Sequence, residues 1–378
     1  MTPGRGHCVS PAVAAAPQED DNVLGEVFVR LPRELSSLPR ASLVCKPWAR
    51  LAASADFRRR WRDRHGRPPV LGVFDKSTTS LQFIPADRSI PAERFSIQVC
   101  TAWETWRVLG CRQGRVFIMN WTLREFLICD PFSGERHRVS FPPDLVDCRH
   151  RANGALLLDA AQNPLKLVLV DEARARVEAR VYSFETGTWG DIISTAEPCR
   201  LTSSRLYCWL TKPRGSFLEL NLDSQSLALI TRPPRANISS RNSQIIPGED
   251  GTVGLALLLY PTIEMWKRNI DSHGVATWVL RKTVVMDNIP DLTSSWAASN
   301  SPVIGYAEDA NAILISVCKE RHIRAFIVQL ETMQCNRLHG LVLDNFYYPF
   351  TSFYNAGPST RRILAHVNND GGAGGAEA

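Results

Sequence analysis

Three pairs of adjacent acids, Asp20-Asp21, Glu249-Asp250 and Glu308-Asp309, are the residues whose spacing could support acid–base chemistry. In Glu249-Asp-Gly251 and Glu308-Asp-Ala310 the neighbours are turn-like, so turns or caps are the expectation. The eight histidines are dispersed. Outside the N-terminal region the nearest pair is His137 and His150, thirteen residues apart, which is not ligand spacing on one element. The ten cysteines are Cys8, Cys45, Cys100, Cys111, Cys129, Cys148, Cys199, Cys208, Cys318 and Cys335. None stands in a C-x-x-C pair, so zinc-ribbon and thioredoxin-like readings have no support. Several lie in apolar runs, where a thiol packs as a small hydrophobe. P-loop, H-E-x-x-H, G-x-S-x-G and dinucleotide motifs are missing. No catalytic, cofactor or metal site is assigned, and the chain is expected not to be an enzyme.

The chemistry therefore gives way to the elements. The 378 residues suffice for a small domain plus a large one, and 44% apolar with 22% charged residues fits a globular protein. The longest apolar run, Leu255 to Tyr260, is far too short to span a bilayer, so no membrane partner is expected. The N-terminus lacks the leucine-rich core of a secretory signal and is expected to be a disordered leader. The scattered cysteines fit a reducing compartment, cytoplasm and/or nucleus. Of the net charge of +6, residues 1–70 carry +5, from twelve Lys/Arg against seven Asp/Glu. The rest is nearly balanced and shows no broad footprint for nucleic acid.

Residues 21–65 carry three short helical patterns. Leu24, Val27, Phe28 and Leu31 form one stripe at i, i+3, i+4, i+7, preceded by the candidate caps Asp20 and Asp21 and closed by Pro32. A second helix is predicted after Pro39, with Ala41, Val44, Cys45, Trp48, Leu51 and Ala52 as its stripe. Pro47 then falls inside it, at a cost of about 3 kcal/mol if the helix stays straight. Phe57 and Trp61, one turn apart, mark a third. The basic run Arg58 to Arg67 reads as a solvated face with Phe57 and Trp61 turned inward, with a nuclear-localisation or phosphate-binding role as the alternative. Fifty residues are too few for a substantial core, so an apolar face is left to cover.

Leu31-Pro32, Ser42-Leu-Val-Cys-Lys46, Trp48, Phe57 and Trp61 resemble the F-box consensus read in order. The resemblance implies docking onto the Skp-type adaptor of a cullin ubiquitin ligase. It makes Leu24, Val27, Leu31, Pro32, Leu38, Leu43, Val44 and Trp48 the adaptor-binding candidates, a mixture of interface and small core. Two departures stand out: the opening Leu-Pro pair is replaced by Gln18-Glu19-Asp20-Asp21, and Pro47 stands where the family has a basic or polar residue.

Beyond Phe74 the pattern turns strand-like. Strands are predicted over 115–120, 126–130, 165–171, 179–184, 205–210, 217–222, 253–260, 312–318 and 325–330. A strand–turn–strand phrase recurs at 128–139, 182–193, 220–230, 268–280 and 328–338, with a fainter copy at 73–84. An acid or amide precedes each turn. Copies spaced roughly 40 to 60 residues apart fit propeller blades, and six copies predict six blades. Trp189, Trp266 and Trp278 follow the repeat and are expected in the core.

The same region, in phrases such as Tyr182-SFETGTWGD-Asp191, Gly305-YAEDAN-Asn311 and Tyr347-YPFTSFYNAG-Gly357, resembles the C-terminal domain of the large F-box family of grasses. The expected fold is a small all-α N-terminal F-box module followed by an all-β domain, a six-bladed β-propeller. The expected divisions are a disordered leader (1–19), the F-box (20–67), a propeller-like substrate-recognition domain (68–360) and a disordered tail (361–378). The resemblance implies a non-catalytic substrate-receptor subunit that binds a Skp-type adaptor, through it a cullin, and an unidentified target protein, without cofactor or metal. The alternatives are a non-ligase interaction propeller with a degenerate F-box, and a propeller-based glycan binder.

Overall fold

The computed structural model describes residues 21–32, 37–38, 41, 44–87, 90, 92–145, 152–158, 164–172, 177–194, 205–209, 217–234, 238, 242–247, 252–259, 261–273, 275–286, 302–319, 322–341 and 347–352. The chain divides into two compact units, Met1–Gly66 with Tyr354–Ala378, and Arg67–Phe353. The predicted leader and tail, Asp20, Leu43 and the pair Glu249-Asp250 lie outside the described residues.

In the first unit α1 spans Asp21–Val29, α2 Lys46–Ala53 and α3 Ala55–His65. Helix α1 has Asp21 in its first turn and stops three residues short of Pro32. Ser54 caps α3: its hydroxyl accepts from the Phe57 N–H at 3.2 Å. Gly66 ends α3 at φ 67°, its N–H donating to the Arg62 carbonyl at 2.8 Å. Phe28 is the hub. It meets Trp48 of α2 edge-on at 5.1 Å and Phe57 of α3 at 5.9 Å, and Phe57 leads on to Trp61. Trp61 in turn stacks on His65, whose Nε2 lies 3.0 Å from the Val29 carbonyl, one of the groups α1 leaves without an intrahelical donor.

The second helix differs from the sequence expectation. Residues 37, 38 and 41 are helical, the chain then turns at Val44, and α2 begins afresh at Lys46. Cys45 is its extended N-cap, at φ −158° and ψ 168°. Pro47 thus occupies the first turn, where its missing N–H has no intrahelical carbonyl to lose. The predicted interior kink and its cost do not arise.

The second unit is built of antiparallel sheets. Sheet I opens with β1 (Val70–Lys76), β2 (Ser80–Pro85) and β3 (Ile97–Gln98). Sheet II holds β4 (Trp106–Arg112), β5 (Arg115–Asn120), β6 (Glu125–Cys129) and β7 (Arg136–Ser140). Sheet III holds β8 (Ala152–Leu158), β9 (Pro164–Glu172), β10 (Val177–Ser183) and β11 (Thr188–Trp189), with β12 (Ile193–Ser194) also on β10. Sheet IV has β13 (Arg205–Trp209), β14 (Phe217–Asn221) and β15 (Ser226–Ile230). Sheet V has β16 (Ser243–Pro247), β17 (Val253–Leu259), β18 (Thr262–Ile270) and β19 (Ala276–Val285). Sheet VI has β20 (Val303–Ala307), β21 (Ala312–Lys319), β22 (His322–Gln329) and β23 (Cys335–Leu338). Finally β24 (Tyr347–Thr351) returns to pair with β1 and completes sheet I as its fourth strand. All nine predicted strands are present, with ends shifted by a few residues.

Each sheet packs on the next. Phe126 and Leu169 join sheets II and III, Val168 and Leu220 join III and IV, and Phe217 and Leu255 join IV and V. Ile246 and Phe326 join V and VI, and Val73 and Leu314 join VI and I. Between I and II, Phe95 meets Phe132 at 5.1 Å and Phe350 meets Phe132 at 5.8 Å. The contacts therefore run round a closed cycle, a propeller arrangement. Strands buried on both faces, such as β5, β14 and β17, read as continuous apolar runs, while the outer β7 keeps one buried residue, Val139.

The repeated phrase is a repeated turn. Asp130 Oδ1 accepts from the Phe132 and Ser133 N–H groups, Asn221 Oδ1 from Asp223 and Ser224, and Asp271 Oδ1 from His273 and Val275. It joins the third and fourth strands of sheets II, III, V and VI, but β1 to β2 in sheet I and β14 to β15 in sheet IV. That displacement explains the irregular spacing of the copies.

Candidate functional site

In the helical unit the structure sorts the adaptor-binding candidates. Leu24 and Leu38 are buried. Val27 is 52% exposed and Val44 63%. Leu31 and Trp48 are half-buried, Pro32 is exposed, and Leu43 lies outside the described residues. Val23, one turn before Val27 on α1, is also exposed and was not among the candidates. Its i, i+4 spacing from Val27 was the available signal. The basic run is partly tied down: Arg60 pairs with Glu26 of α1 and Arg59 with Asp56.

In the sheet unit Glu308-Asp309 forms the turn between β20 and β21 and also ties three sheets together. Asp309 Oδ2 accepts from the Gln113 N–H at the β4–β5 turn and from Thr351 Oγ1 on β24 at 3.0 Å. Glu308 meets Arg112 at 3.0 Å. Both carboxylates are engaged structurally, which suits the turn reading better than acid–base work. Asp309 as an inter-sheet tie was not foreseen, because its partners lie about 200 and 40 residues away.

Strand β24 lies between β20 and β4, with β8 beside β4 and β16 beside β20. Along these strands Leu109 packs on the core shared by sheets II and III and Tyr306 on that shared by sheets V and VI, while Tyr348 is partly buried on β24. Burial raises the pKa of both tyrosines, and Tyr306 donates its O–H to Asn311 Oδ1 at 3.3 Å. The described cysteines 45, 100, 111, 129 and 335 are free thiols. Burial pushes Cys129 and Cys335 up to about 11 and Cys111 higher still, so these three stay protonated and act as packing groups. Among the described residues no three His, Cys, Asp or Glu side chains gather as metal ligands, and no helix is long and apolar enough to cross a membrane.

The cycle of antiparallel sheets with its recurring turn defines a β-propeller. The profile of the F-box protein AT5G49610-like beta-propeller family matches residues 107–335, which is 229 of the 378. The chain belongs to that family. The match covers sheets II to V and most of sheet VI, and reaches neither sheet I nor the helical unit. No curated protein matches the chain. Among solved structures it is similar to TolB from Acinetobacter baumannii, with 9% identity over 77% of this chain and 70% of that one, at a TM-score of 0.42. It is also similar to a Bacteroides caccae protein of unknown function (8% identity, 75% and 98% of the chains, TM-score 0.43) and to Hsv2 of Kluyveromyces marxianus (13%, 70% and 77%, TM-score 0.35). At these scores the likenesses add nothing to the argument.

Proposed function

We propose that this chain is the substrate-receptor subunit of a Skp–cullin–F-box ubiquitin ligase, of the kind found among the grass F-box proteins. The observation that carries the reading is the match of residues 107–335 to a propeller of F-box proteins. Exposed apolar residues on the preceding helices, Val23, Val27 and Val44, support it, because they leave the small helical unit with a surface a partner would cover. In this reading the helices hold a Skp-type adaptor and through it a cullin, and the six sheets are six blades that hold the target. No residue here performs chemistry. The chain supplies proximity, which turns the encounter of ubiquitin donor and target lysine into a local event. Cytoplasm and/or nucleus is the proposed location.

The test is co-purification of the full chain with a Skp-type adaptor, with Val27→Asp and Val44→Asp as variants. Stable capture by the wild type, lost in both variants, supports the receptor. Failure of the wild type, with an established F-box protein succeeding in parallel, overturns it. The alternative of a degenerate F-box loses its main support with Pro47 in the first turn of α2.

A further inference from the structure

Residues 99–105 carry the chain from sheet I to sheet II, and at their tip the Trp103 side chain is 92% exposed. No other large hydrophobic side chain among the described residues is as exposed. The turn that holds it is heavily bonded. The Glu104 N–H donates to the Thr101 carbonyl at 3.2 Å, and the Thr101 N–H and hydroxyl donate to Glu104 Oε1 at 3.2 and 2.9 Å. Glu104 Oε2 accepts from Asn120 Nδ2, Asn120 Oδ1 accepts from the Leu123 N–H at 3.2 Å, and the Thr105 N–H donates to Thr122 Oγ1 at 2.9 Å. These bonds hold the Glu104 carboxyl below the usual range and fix Leu123, itself 51% exposed, in the same network.

A cation stands at this corner. Trp106 donates its indole N–H to the Thr78 carbonyl at 2.8 Å, and the Lys76 ammonium sits 4.7 Å above the Trp106 ring. No carboxylate among the described residues pairs with Lys76, and Arg107 lies near enough to add repulsion to the burial that lowers its pKa. The corner therefore sets an exposed aromatic and an exposed aliphatic side chain, carried on a hydrogen-bonded turn, beside a lysine that no described carboxylate pairs with. Aromatic anchors dominate interface energetics.

We propose that this corner docks the target through an extended peptide segment whose large apolar side chain packs on Trp103 and Leu123 while flanking carboxylates meet Lys76. The inference rests on the receptor reading above and names the chemistry of its target. A glycan fits less well, because polar groups around Trp103 that would bind its hydroxyls, those of Thr101, Glu104 and Asn120, are bonded to one another. A nucleic acid would need a broader basic surface.

The experiment selects displayed random twelve-residue peptides on the full chain in complex with a Skp-type adaptor, counter-selecting on Trp103→Ala. Affinities of the enriched peptides follow by fluorescence anisotropy at low and high salt. The expected peptides join an aromatic or leucine to two or more acids and bind at least tenfold more weakly to Trp103→Ala. Lys76→Glu also weakens them at least tenfold and removes the salt dependence, whereas Trp103→Phe stays within about threefold. Basic or uncharged peptides, no enrichment, or equal binding to Trp103→Ala overturns the proposal. So does sedimentation showing that Trp103→Ala dissolves a dimer, which would make the corner a contact between two copies. Adaptor capture separates the readings: a wild type that holds the adaptor but yields no acidic peptide loses only this docking site, and one that fails to hold the adaptor loses the receptor function.

Discussion

Trp278 on β19 donates its indole N–H to the carbonyl of Thr231 at 2.8 Å, forty-seven residues earlier and just past the last strand of sheet IV. Trp189 on β11 does the same to Ser140 at 2.9 Å, forty-nine residues earlier at the end of sheet II. Each indole fastens the outer part of one sheet to the sheet before it while its ring packs inward, Trp278 on Phe217 and Trp189 on Phe126. These tryptophans are half-buried seams rather than the deep core residues the repeat suggested. Trp278→Phe keeps the ring contact and orphans the carbonyl, a loss of about 1 kcal/mol. Trp278→Ala removes both, a loss of about 3 kcal/mol. Urea denaturation measures both, and the Trp189 equivalents add independently because the two seams share no residues.

The turns make an opposite pair of predictions. Gly134 and Gly187 sit at φ 76° and 68°, four residues after Asp130 and Ser183. Gln225 and Met333 occupy the matching place after Asn221 and Gln329, at φ 48° and 57° with a side chain. Gln225→Gly and Met333→Gly should therefore stabilise by about 0.5–1 kcal/mol, and Gly134→Ala should destabilise by about 1–2 kcal/mol. A thermal melt series that moves the two classes the same way would count against this account.

Pro47 should matter little to binding. Pro47→Arg leaves α2 in place, because the first turn tolerates either residue, and adaptor affinity should stay within about twofold by calorimetry. Val27→Asp should lower it at least tenfold with an unchanged melting temperature, since the side chain is already exposed. Leu24→Asp should unfold the helical unit instead, because it buries an unpaired charge.

Arg180 is buried on β10 and bonds to Asp144 at 2.6 Å and Glu178 at 3.4 Å. The hydrogen bond from Arg180 lowers the Asp144 pKa below its unfolded value. The pair therefore stabilises the fold above the unfolded value, near about pH 4, and the contribution is lost as pH falls through the lower folded value. Asp144→Asn should cost roughly 1 kcal/mol at neutral pH, since Glu178 still faces the guanidinium, and should flatten the loss of stability below about pH 4. Denaturation curves at several pH values for the two proteins check the sign.

The sequence on its own determined what depends on near neighbours. The strands over 115–120 and 217–222 and the turns after Asp130, Asn221 and Asp271 were legible because alternation, turn chemistry and a side chain bonding two residues ahead are local physics. Tertiary structure decided the rest. Leu24 and Val27 share a helix and an apolar character, yet one is buried and the other exposed, because packing on Trp48 and Phe57 selected the face centred on Phe28. The pairing of Val70 with Thr351 that completes sheet I, the hold of Asp309 on Gln113, and the platform beneath Trp103 all join residues from separate stretches of chain. No periodicity reports such meetings, because they come into being only when the sheets close into their cycle.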